Sequence, residues 1–192
     1  MTSEVDGAGT VKSSADSTTL DGPPGAVSQL IGSLARGLSE MENKHGSAHP
    51  DTMSSRDELA RICRYARRFD EALNLYFQTL AVQQRVYGPY HASTLRARSR
   101  VANTYYAAGR YAWAMSWFRD ILVKRERVLG PDNPDTLRSK SSLASTCQAM
   151  GLCRQASRLH RETLEARIVV LGPDHVRTRF SRTRMEEAEG TA

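Results

Sequence analysis

No stretch of this sequence approaches the roughly 20 consecutive apolar residues that a membrane-spanning helix requires, so nothing in it reads as a span. The opening segment, Met1 to Leu20, is rich in Ser and Thr. It has neither the basic start nor the apolar core of a secretory signal, which makes cytoplasmic residence the expectation. Cysteine is scarce. Cys63, Cys147 and Cys153 form no CxxC pair, so zinc spacing and dithiol redox motifs are both absent, and small buried thiols are expected. Also missing are GxxxxGK(S/T), HExxH and GxSxG. Phosphate cradling, metalloprotease chemistry and serine acyl transfer therefore have no carrier. The expectation is a non-enzyme with no cofactor and no metal.

Lysine is sparse where arginine is not. Residues 1–45 hold three basic residues (Lys12, Arg36, Lys44) and six acidic ones, a balance of −3. The remainder carries +9, and 22 of its 24 basic residues are Arg. Arg favours planar, two-pronged contacts with carboxylates over simple point attraction. A basic body behind an acidic leader points to acidic partners.

What the sequence has in abundance is internal repetition. Gly46, Gly88, Gly130 and Gly172 stand 42 residues apart, and Thr52, Thr94, Thr136 and Thr178 keep the same step. Between them the segments align without a gap. Leu59-Ala60 matches Val101-Ala102 and Leu143-Ala144; Ala72 matches Ala114 and Ala156; Leu80 matches Leu122 and Leu164. Each unit reads as two helices. In the middle unit Leu95, Val101, Ala102 and Tyr105 recur at helical spacing until Ala108-Gly109. Tyr111, Ala114, Phe118, Ile121 and Leu122 then form a second stripe, which runs to about Leu129 before Gly130-Pro131. Asn133-Pro134 reads as the next start, with Asn as cap and Pro in the first turn.

The segment VANTYYAAGRYAWAMSWF (101–118) resembles the tetratricopeptide repeat core. The period and the loops VLGPDNPDT (128–136) and VLGPDHVRT (170–178) are similar to the longer kinesin-light-chain type, and to repeat tails of fungal nucleotide-binding immune-type receptors. The resemblance covers residues 46–188. It implies an all-α solenoid: antiparallel helix pairs stacked into a right-handed superhelix, with the first helix of each pair lining a concave groove. The expected division is an acidic, disordered tail over 1–24 and a repeat array over 25–190. Within the array, 25–45 form a capping half-repeat, 46–87, 88–129 and 130–171 full repeats, and 172–190 a capping helix, giving eight helices. By register Leu30 aligns with Ala72, Leu34 with Tyr76 and Leu38 with Leu80. At the far end Glu186 takes the place of Ala60, a loss of apolar character suited to a solvent-facing end.

The repeat-equivalent His49, His91 and His175 lie a full unit apart and share their register with Asn133, so capping is expected of them rather than metal binding. His160, in register with Tyr76 and Phe118, is expected in or near the core. On the family's geometry the groove exposes Arg61, Arg64, Arg96, Ser99, Arg100, Asn103, Tyr106, Arg138, Ser141, Ser142 and Ser145. Arginines beside Asn and Tyr suit an acidic, extended peptide, because Arg grips carboxylates and Asn holds peptide groups. The clamp by which family members hold chaperone tails (Lys, Asn, Asn, Lys, Arg) matches here Asp57, Arg61, Arg100, Arg138 and Ser142, so that ligand is not expected. Trp113, whose equivalents Glu71 and Gln155 are polar, should face solvent as a second contact, whereas Trp117 should be packed. The resulting expectation is a scaffold or adaptor for a protein or peptide, monomeric or weakly self-associating. Alternatives are an RNA-binding helical repeat, or a regulatory fragment of an immune-type receptor acting by self-association. Against RNA, the aromatics fall mostly on core positions rather than in a row suited to base stacking.

Overall fold

Four of the helices begin on a residue whose side chain accepts a hydrogen bond from the backbone N–H two positions on. The acceptor is Nδ1 in His49, His91 and His175, and Oδ1 in Asn133. This satisfies one of the orphan donors of a helix start and fixes where it begins. The computed structural model describes residues 25–190; the acidic 1–24 segment expected to be disordered lies outside them. Eight helices follow in order: α1 Ala26–His45, α2 Pro50–Tyr65, α3 Phe69–Tyr87, α4 Ala92–Ala107, α5 Tyr111–Leu129, α6 Pro134–Ala149, α7 Cys153–Leu171 and α8 Val176–Gly190. There is no strand among the described residues. Each helix packs on its neighbours in the chain, which makes the molecule an α-solenoid.

The second helices stop at Gly46, Gly88, Gly130 and Gly172, with φ between 83° and 86°, a left-handed conformation that only Gly adopts without a steric penalty. The turns inside the pairs use Gly109 (φ 73°) and Gly151 (φ 74°), but the first full repeat places Arg67 (φ 60°) in the same register. A left-handed L-residue costs roughly 1–2 kcal/mol. Arg67→Gly should therefore stabilise the protein, by about 0.5–1 kcal/mol after the extra chain entropy of Gly is counted. A rise in the urea midpoint at unchanged slope is the expected reading.

The core runs along the stack, within the pairs and between them. Ala60, Ala102 and Ala144 on the first helices, and Ala72, Ala114 and Ala156 on the second, are fully buried. Leucines and aromatics, including Tyr76, Phe118 and the partly buried Trp117, fill the space around them. Leu30 keeps the register of Ala72 but not its burial. It is 42% exposed, and α1 instead buries Ile31 and Leu38. Ala72 is buried because it meets the first helix of its own pair. No described helix pairs with α1 on that side.

Candidate functional site

Along α2 and α4 the groove arginines are largely engaged within the protein. Arg100 reaches across from α4 to Asp57 of α2 at 2.6 Å. Burial pushes the Asp57 carboxyl up, and the Arg100 charge opposes that shift. Arg61 is held two-pronged by Glu58 one turn before it. Arg61 and Arg64 flank the ring of Tyr65, with guanidinium carbons 5.6 and 4.9 Å from its centre. Arg96 reaches Ser93 Oγ at 3.4 Å, and Ser99 Oγ donates to the Leu95 carbonyl. Five of the residues read from the sequence as a basic groove thus form a strip with much of its charge already answered.

The other six come together. Asn103 and Tyr106 of α4 and Arg138, Ser141, Ser142 and Ser145 of α6 line one open cleft of about 520 Å³. Its shape follows from the repeat. At the register of Ser142 the neighbouring first helices carry Arg100 and Arg184, and at that of Ser145 they carry Asn103 and Glu187. Three serines leave a hollow in α6 that the larger side chains of α4 and α8 wall in. Ser141 is a floor rather than a rim residue, only 9% exposed. Arg138 at the rim pairs with Asp135 at 2.8 Å.

α8, expected only as a solvent-facing end, supplies the far wall through Val176, Arg177, Phe180 and Arg184. Arg184 pairs with Glu187 at 3.1 Å, whereas the Arg177 side chain has no ion-pair partner among the described residues. Below them Arg167 is buried; its Nη1 donates to the Arg177 carbonyl at 3.2 Å and to Ser181 Oγ at 2.5 Å. Burial pushes the Arg167 guanidinium down from its ordinary value. The cleft therefore offers apolar rings (Tyr106, Phe118, Phe180), a hydroxyl floor and a cationic rim. A count of apolar residues on α8 does not reveal this wall. The visible signal was Phe180 on a helix otherwise poor in large apolar residues.

Trp113 stands 63% exposed, near-parallel to Tyr105 with ring centres 6.2 Å apart. Trp117 is packed, in contact with Phe77 and under Arg98. His160 is buried at 1% exposure. No group of three or more His, Cys, Asp or Glu among the described residues is placed to hold a metal ion. No helix of the described residues is long and apolar enough to cross a membrane.

Models of the tetratricopeptide repeat match residues 51–123 and 136–177, together well over half of the chain. Among solved structures, the chain is similar to a Podosopora anserina protein described as kinesin light chain nearly identical TPR-like repeats. Identity is 24% and the TM-score 0.72, over 87% of this chain and 79% of that one. A point variant of the same protein gives 23% and 0.74 over the same shares. BtubC (BKLC) from P. vanneervenii gives 17% and 0.68, over 86% of this chain and 72% of that one. No curated protein matches the sequence. At these identities the structures speak for the fold: a kinesin-light-chain-like array of helical pairs.

Proposed function

The chain belongs to the tetratricopeptide repeat family, whose arrays generally mediate protein–protein contact, and from that premise we propose that it is a non-catalytic scaffold holding an acidic, extended segment of a partner protein in the cleft between α4, α6 and α8. The observation that carries this reading is the cleft itself: a serine floor, aromatic walls and the unpaired Arg177 at its rim. A peptide crossing it would set carboxylates against Arg177 and Arg138 and an apolar side chain between Tyr106 and Phe180. Arg61, Arg64, Arg96, Ser99 and Arg100 extend the same surface toward the N-terminal end as a weaker, internally paired strip, and Trp113 offers a second contact outside it. The reading places the protein in the cytoplasm as a monomer without cofactor. In an end-to-end stack of two copies, Leu30 would meet Glu186 at the register where the full repeats set Ala against Ala.

The test is fluorescence anisotropy of a labelled, Glu- and Asp-rich peptide with one central aromatic residue. Affinity should fall steeply with salt, because the rim charges are exposed. Arg177→Glu with Arg138→Glu should weaken binding by about tenfold or more at low salt, of the order of 1.4 kcal/mol. Arg61→Glu, on α2 and outside the cleft, should change it little. Equal affinities for the native and doubly reversed proteins would remove the cleft as the binding site.

A further inference from the structure

The helix that walls the cleft is docked without a single large apolar residue in the core. α8 buries only Thr178, Ser181 and Ala188, none of them a large apolar residue. Polar contacts do the remaining work: the Arg167 bonds to the Arg177 carbonyl and Ser181, Thr178 Oγ1 donating to the Arg167 carbonyl at 3.3 Å, Ser157 Oγ donating to the Ala188 carbonyl at 3.2 Å, and Arg161 paired with Glu189 at 2.5 Å. On α7, which α8 packs against, His160 is buried, and neither ring nitrogen has a hydrogen-bond partner. In the same register the earlier repeats place Tyr76 and Phe118. Only this unit puts a group that titrates near neutrality into the slot.

The charges set against His160 are Arg184 and Glu187 of α8 and Arg167 of its own helix, two cations to one carboxylate. α6, on the other side of α7, brings Lys140, but that ammonium is directed at Glu162. An imidazolium formed here would be shut off from bulk solvent, with neither ring nitrogen hydrogen-bonded and a net positive surrounding.

We propose that α8 is a pH-released wall of the cleft: protonation of His160 undocks α8 from α7 and takes the cleft apart. The sign follows from linkage. Burial pushes the docked imidazole down from its ordinary value, so the docked state refuses a proton that the undocked state accepts. Docking is at full strength well above about pH 6.5, the ordinary value for histidine, and weakens as pH falls through it, by at most about tenfold per pH unit for one proton. Small domains that switch near neutrality use this device. The docking of α8 is separate from ligand binding, and its pH response does not depend on whether the cleft takes an acidic peptide.

The experiment is hydrogen exchange on the full chain at pH 7.5, 6.5 and 5.5, each amide normalised to its intrinsic rate. Protection in α8 should fall no more than about twofold from 7.5 to 6.5 and up to about tenfold in all by 5.5, while α5 stays level. His160→Phe, which copies Phe118, should hold α8 protected at all three values; His160→Tyr, which copies Tyr76, is the second variant should Phe fail to fold. One other histidine touches α8: His175 Nδ1 accepts from the Arg177 N–H at 3.1 Å, and protonation would remove that cap. His175→Asn, which copies Asn133, keeps a cap without a titration, and its pH response should persist. A flat profile in the native chain overturns the proposal. So does a response that survives His160→Phe and disappears in His175→Asn.

Discussion

Replacing Ala114 by Leu is expected to cost about 2 kcal/mol, within the 1–3 kcal/mol usual for overpacking, while the same change at Ala112 should cost almost nothing. The two positions lie two residues apart on α5 and differ in what they face. Ala114 is fully buried and shares a core cluster with Ala102 of α4, which is also fully buried. Three added carbons there meet neighbours already at interior density, and the pair can accept them only by moving the helices apart or forcing strained rotamers. Ala112 is exposed. Its equivalents, Asp70 and Arg154, show that this register tolerates size and charge alike. Urea unfolding of both variants decides the matter, read from the midpoint at constant slope. A costlier Ala112 would mean that the close contact lies on another face of the helix.

Much of this architecture was legible because a repeat reports each position several times. A single Ala says little, whereas Ala72, Ala114 and Ala156 in one register specify a close approach, and all three are fully buried. The glycine step and the His/Asn register mark both helix ends in the same way, and the caps accept the hydrogen bonds that this reading requires. Legibility failed where the repeat is interrupted. Leu30 kept the register of a core position without the helix that would bury it. On α8 Glu186 in the register of Ala60 suggested only a solvent-facing end, but Phe180 and Arg177 help to shape the cleft. Helical phase gathers candidate groove residues onto one face, yet phase does not say which cations are already answered. That depends on partners in the adjacent unit, as with Asp57 and Arg100. Arg56, Arg125 and Arg167 were not legible as buried residues, because charged positions on either helix of a pair look like surface until their partners are known.

Those partners lead to a second large effect. Ser139→Ala should destabilise the protein by about 2 kcal/mol, because a hydrogen bond to a charged group contributes roughly 1.5–3 kcal/mol and a buried charge left short of partners is costly. Arg125 is 2% exposed, and its Nη1 donates to Ser139 Oγ at 2.6 Å and to the Asp135 carbonyl at 3.0 Å, tying α5 to the first turns of α6. Burial pushes the Arg125 guanidinium down from its ordinary value, and Ser139 is one of the two acceptors that keep it satisfied. The next junction repeats the device with Arg167 and Ser181, but the preceding one does not: Gln83 stands in place of the Arg and Ala97 in place of the Ser. These three junctions thus use two solutions to one interface, a cation with a hydroxyl and an amide with a methyl, while the α1–α2 junction sets the Ser55 hydroxyl on the Met41 thioether. Mixing them is what should cost most. Ser139→Ala alone strands a guanidinium donor, whereas Arg125→Gln with Ser139→Ala rebuilds the Gln83–Ala97 pairing. In a double-mutant cycle the combined change should be less damaging than the two single changes added, by an amount on the order of 1–2 kcal/mol for groups in direct contact. Strict additivity would show that the serine hydroxyl does nothing for the buried arginine, and that the junction is held by apolar packing alone.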